Sequence, residues 1–91
     1  MSNTWVDNLA DEQRDQVAEV FATLPENDSL RRYAGDDVDF GIWLLVVDGA
    51  CRRRLTVGIF DLPDRLWRDW YDDDMTPVQA LRTLLEEGVD A

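Results

Sequence analysis

The 91-residue chain has no lysine and no histidine, a single cysteine and only three prolines. Without histidine the commonest general base and imidazole metal ligation are gone, and without lysine so is Schiff-base chemistry. Cys51, being alone, permits no intrachain disulfide and no thiol-rich metal site. Positive charge is scarce as well: nine arginines face 20 acids, 15 of them Asp, for a net charge of -11. Such a field repels phosphate backbones and anionic membranes, so direct nucleic-acid or membrane binding is not expected. A protein with a basic or mixed surface is the expected partner. Long apolar runs are missing too. The longest, Phe40 to Val47, is far short of the ~20 residues of a membrane span, and Asp7, Asp11 and Glu12 stand where a secretory signal would be apolar. A cytoplasmic location is expected.

No Gly-rich phosphate loop or Ser-centred elbow is present, and 20 acids make some paired carboxylates inevitable. Neither an enzyme nor a cofactor is therefore expected. Abundant Asp, Arg, Val and Ala would also follow from a GC-rich coding sequence or a salt-adapted source. The acidity is thus a weak functional clue by itself.

With 45% hydrophobic residues, the chain can build one small core, and a single acidic domain over 1–91 is expected, with 1–8 as a tail. Trp5 and Val6 are apolar enough to fold back. A helix is predicted over about Asp11 to Thr23, where Val17, Val20, Phe21 and Leu24 recur at helical spacing and Pro25 stops it. Glu26 to Ser29 reads as a loop, and Leu30 to Tyr33 as a single turn before Gly35. The segment 38–60 admits two readings. Asp48-Gly49 between apolar stretches is a hairpin signal, but a two-residue turn there would set Arg52, Arg53 and Arg54 opposite Leu45, Leu44 and Trp43. A helix instead puts Phe40, Trp43, Leu44, Val47 and Cys51 on one stripe, pairs Asp48 with Arg52, and orders the acids and arginines as a helix dipole favours. The helix is preferred, with 55–60 as an extended connection. The expected fold is mainly α, a compact bundle of about four short helices; the alternative is α+β, with a β-hairpin at 39–60 packed on three helices.

Residues 61–77 hold the densest pattern. Asp61, with Asp64 three residues on and Pro63 in the first turn, starts a helix to about Asp72. Leu62, Leu66 and Trp70 stack along it, Trp67 and Tyr71 widen the stripe, and Trp67 at the edge is expected to be partly exposed. Asp61, Arg65 and Asp69, and likewise Asp64, Arg68 and Asp72, form i,i+4 ladders. Thr76-Pro77-Val78-Gln79 is a capping box opening a last helix, with Val78, Leu81, Leu84 and Leu85 inward and a stop before Gly88. Asp72, Asp73 and Asp74 crowd the negative end of a helix dipole, which costs stability unless a positive group answers them. Arg68 or an arginine of 52–54 is the internal candidate, and a basic partner the external one. The spacing fits no EF-hand loop, so no metal is expected. Trp67, Arg68, Tyr71, Asp72, Asp73 and Asp74 are accordingly the candidate partner-binding residues. Aromatic and arginine side chains are the favoured anchors of interfaces.

Trp43, Asp48, Arg53, Asp61-Leu62-Pro63-Asp64, Arg68-Asp69-Trp70-Tyr71, Asp73, Met75-Thr76-Pro77 and Ala80 together resemble, in order and spacing, a group of small bacterial and phage proteins. The likeness covers roughly Trp43 to Leu85. The chain departs from the group's pattern at Thr56 and Asp74, where Gly is usual, and at Gln79, where Glu is. At 74 a Gly would terminate the helix in the left-handed region, so Asp74 must adopt that conformation or extend the helix. The resemblance implies helices on both sides of the Asp-Leu-Pro-Asp turn and brings no activity with it. The expectation is a non-enzymatic interaction module of phage or mobile-element origin, in the host cytoplasm, that modulates a host protein through an acidic, aromatic surface and in one form mimics nucleic acid. The alternative is a structural or accessory subunit, or a homodimer.

Overall fold

The computed structural model describes residues 3–23, 28–61 and 67–87. Within them lie α1 (Thr4–Asp7), α2 (Asp11–Thr23), α3 (Asp28–Ala34), α4 (Val38–Leu55), a 3-10 turn (Ile59–Asp61), α5 (Trp67–Asp72) and α6 (Pro77–Glu87). No strand occurs among the described residues, so 38–55 is helical and not a hairpin.

α4 is the central element, and each of the other five helices packs on it. Its sequence explains why. Asp37 caps its N-terminus, the carboxylate accepting the Phe40 N–H at 3.1 Å, and Arg52, Arg53 and Arg54 occupy its last turn. Phe40, Ile42, Trp43, Leu44, Val47 and Cys51 are all buried, so the helix is apolar around most of its circumference, as a helix surrounded by others must be. Side chains of this size each contribute about 1.5–3 kcal/mol on burial. Gly41 lets α2 approach: a Cβ there would stand 2.3 Å from Phe21 Cζ. The Trp43 indole N–H donates to the Met75 carbonyl at 2.8 Å, so this buried ring leaves no orphaned donor.

Several expectations need correction. Residues 3–8 are no tail. Asn3 and Val6 are fully buried, and Asn3 Nδ2 donates to both the Tyr71 and Met75 carbonyls at 2.9 Å. Residues 55–60 are not extended: Thr56 closes α4 in the left-handed region at φ 63, and the chain then tightens into the 3-10 turn. Asp28 and Ser29 belong to α3 rather than to a loop. α2 buries Phe21 but leaves Val20 41% exposed, and α6 turns Ala80 and Leu84 inward while Val78 is 62% exposed. Phe21 and Leu84 keep their predicted inward places, whereas the buried side of α6 is shared with Ala80 in place of Val78. The helix start at Asp61-Leu62-Pro63-Asp64, the Leu62/Leu66 stack, the Arg65 and Asp64 pairs, the Leu24-Pro25 stop and the Gly88 stop lie outside the described residues, apart from Asp61 in the 3-10 turn. The Thr76–Gln79 capping box forms in both directions, at 2.9 and 3.1 Å.

Candidate interaction surface

The six candidate residues at 67–74 form a joint more than an outer face. Trp67 is only 2% exposed, its ring edge-on to Trp70 at 5.2 Å, which corrects the expectation that it is partly exposed. α5 packs on α4, and both edges of its stripe, Trp67 and Tyr71, are buried. Tyr71 is equally buried, in contact with Phe40 and Trp43 at centroid distances of 5.1 and 5.8 Å. Burial, reinforced by the nearby charges of Asp37 and Asp39, pushes its phenol up to about 12. Neither ring offers a face to a partner.

Arg68 is the internal cation that the acidic helix end requires. Its guanidinium bonds Asp37 at 2.8 Å and Asp72 at 3.4 Å, and it lies 4.9 Å from the Phe40 centroid and 5.3 Å from that of Tyr71. Partial burial works against its charge, but the Asp37 and Asp72 carboxylates more than offset this and raise its pKa. The end of α5 is thereby tied to the start of α4. Arg14 of α2 joins the same region through an ion pair with Asp39.

Asp74 takes the left-handed conformation, φ 68. Its N–H donates to the Tyr71 carbonyl at 3.1 Å and that of Met75 to the Trp70 carbonyl at 3.2 Å, the pair of bonds that closes a Schellman terminus. The carboxylate then reaches the start of α1, accepting the Thr4 N–H at 2.6 Å and the Thr4 hydroxyl at 2.8 Å. These bonds hold its pKa below the ordinary carboxylate value. Of the acidic triplet, Asp72 is thus paired with Arg68 and Asp74 with Thr4, while Asp73 is exposed.

A different surface carries exposed aromatic area. Tyr33 at the end of α3 and Phe60 in the 3-10 turn are each 45% exposed, with ring centroids 5.7 Å apart, and Tyr33 also touches the buried Phe40 at 6.0 Å. Beside Phe60 lies a cavity of about 140 Å³ bounded by Ser29, Leu30, Asp48, Arg52, Phe60 and Asp61. Its walls are fixed by hydrogen bonds to the two carboxylates. Asp48 Oδ1 accepts the Ile59 N–H at 2.9 Å, Asp48 Oδ2 accepts from Arg52 Nε at 3.0 Å, and Asp61 Oδ2 accepts the Gly58 N–H at 3.2 Å. Gly58 is required there, since a Cβ would stand 2.6 Å from Asp48 Oδ1. Sequence patterning passed over both aromatics because each falls in a segment too short for helical periodicity. The usable signal was that Phe60 fits no buried stripe on either side of it.

Among the described residues, no three acidic or thiol side chains are grouped to hold a metal ion, and no helix is long and apolar enough to cross a membrane. Cys51 is fully buried, and burial together with the Asp48 charge pushes its thiol up to about 11. Comparison with protein-family models, curated proteins and solved structures finds no match to this chain.

Proposed function

We propose that the protein is a non-enzymatic interaction module, of phage or mobile-element origin, that docks on a basic or mixed surface of a host protein and modulates it by occupying that surface. The observation that carries this reading is the Tyr33–Phe60 pair: two large rings in mutual contact, each 45% exposed, on a chain of net charge -11. Exposed paired aromatics supply the apolar anchor of an interface, and the surrounding negative field steers a basic partner toward it. The acidic, aromatic surface expected at 67–74 is therefore reassigned to residues 33 and 60, with Asp61 beside them. The test is affinity capture of partner from a bacterial lysate with the wild-type chain and with Tyr33→Ser/Phe60→Ser. The reading expects a stoichiometric partner that the double variant loses, and release by raised salt. A partner displaced by added DNA is the mimicry form of the same reading. Undiminished capture by the double variant overturns it.

A second reading, an accessory subunit or homodimer, draws on α6. There Val78, Leu81 and Leu85 with Arg54 and Arg82 line an open groove of about 400 Å³. Sedimentation decides it: association abolished by Val78→Asp supports this reading, and a monomer at high micromolar concentration removes the homodimer.

A further inference from the structure

We infer that the cavity beside Phe60 is the seat of one arginine side chain of the partner, an inference that rests on the docking function proposed above. At about 140 Å³ the cavity is well below the ~300–1,000 Å³ of small-molecule sites, and at ~30 Å³ per water it holds about five heavy atoms, the size of a guanidinium with its last methylene.

Two carboxylates, Asp48 and Asp61, and one guanidinium, Arg52, bound the cavity. Arg52 pairs with Asp48 at 3.0 Å, and among the described residues that bound the cavity the carboxylates exceed the guanidinium by one charge. The long-range field has the same sign. A cation is drawn to the molecule and finds the same preference at the site, whereas an anion is repelled at both distances.

The fold already builds such a seat for its own arginine. Arg68 lies between the Asp37 and Asp72 carboxylates with its guanidinium against the rings of Phe40 and Tyr71. At the surface, Phe60 and Asp61 line the cavity and Tyr33 stands against Phe60, which puts a pair of rings beside one carboxylate where Arg68 has two. Arginine fits it better than lysine. A guanidinium is planar, weakly hydrated and able to stack on Phe60 while forking to Asp61, and an ammonium can do only part of this. The bonds of Asp48 to Ile59 and of Asp61 to Gly58 fix the walls beforehand, so little ordering is needed on binding.

The test is a titration of the isotope-labelled chain with acetyl-Gly-Arg-Gly-amide and its citrulline and lysine counterparts, followed by amide chemical shifts. The inference expects saturable shifts centred on Leu30, Ile59, Phe60 and Asp61 with the arginine peptide. It expects binding at least about fivefold weaker for citrulline and for lysine, and a similar loss in Phe60→Leu and in Asp61→Asn. Shifts spread over the exposed acids without saturation at the cavity overturn it, as does either counterpart binding within fivefold of arginine. Failure here with capture still lost in Tyr33→Ser/Phe60→Ser leaves the docking face standing without an arginine seat. A peptide that binds as expected, with capture unchanged in that variant, removes the docking reading and leaves the seat.

Discussion

Asp74 and Thr4 stand 70 positions apart in the chain and are joined by two hydrogen bonds, from the Thr4 N–H at 2.6 Å and from its hydroxyl at 2.8 Å. The carboxylate that closes α5 thereby satisfies a free donor at the start of α1, where negative charge is favourable. Together with Asn3 on the Tyr71 and Met75 carbonyls, it fastens the N-terminal residues over the α5–α6 corner.

Among the described residues, two other than glycine are left-handed, Thr56 at φ 63 and Asp74 at φ 68, and their glycine substitutions should behave oppositely. Thr56→Gly relieves the strain of a β-branched residue and is expected to stabilise by about 1 kcal/mol, raising the thermal midpoint by about 4–8 °C. Asp74→Gly relieves strain too but removes both bonds to Thr4, and should lower the midpoint. Thermal unfolding followed by circular dichroism reads both.

The Asp74 bond should be visible in pH dependence. The Thr4 N–H, then the Thr4 hydroxyl, lower its pKa in the folded state. A lowered carboxylate contributes stability above its unfolded value, and this is lost as pH falls through the folded one. The difference in midpoint between wild type and Asp74→Asn should be constant from about pH 5 to 8 and shrink below about pH 4. A difference that grows on acidification would contradict the pairing.

Two glycines of α4 make a matched comparison. A Cβ at Gly41 would meet Phe21 Cζ at 2.3 Å, while nothing lies within 4 Å of one at Gly49. Gly41→Ala should destabilise by about 1–3 kcal/mol by pushing α2 off α4, and Gly49→Ala should stabilise by about 0.5–1 kcal/mol through lost backbone freedom in the unfolded chain. Urea denaturation of the two variants measures both signs.

Cys51 is fully buried and its thiol is pushed up to about 11 by burial first and Asp48 second. The native chain should resist iodoacetamide at pH 8 and react only on unfolding, so its modification rate tracks the unfolded population. Rapid labelling in native buffer would contradict the core placement.

Much of the helical plan was legible because its causes are local. Phe40, Trp43, Leu44, Val47 and Cys51 recur at helical spacing and all are buried, the Asp48–Arg52 pair forms at 3.0 Å, and Thr76 and Gln79 cap each other. Arg68 answering Asp72 was also within reach, four residues apart on one helix. What escaped is what depends on distant partners. Asn3 makes its bonds 68 and 72 residues away, so nothing near it in sequence separates a clamp from a tail. Trp67 looked marginal on its own helix and is buried by neighbours whose position that helix does not specify. Tyr33 and Phe60 come from two short segments and meet only in three dimensions.

The most direct test of the docking account is photo-crosslinking in the host cell, with p-benzoylphenylalanine placed in turn at Tyr33, Phe60 and Asp73, an exposed residue of the 72–74 triplet. The account predicts one common adduct from positions 33 and 60 and little or none from position 73. An adduct from position 73 with none from 33 and 60 would contradict it and return the functional surface to the end of α5.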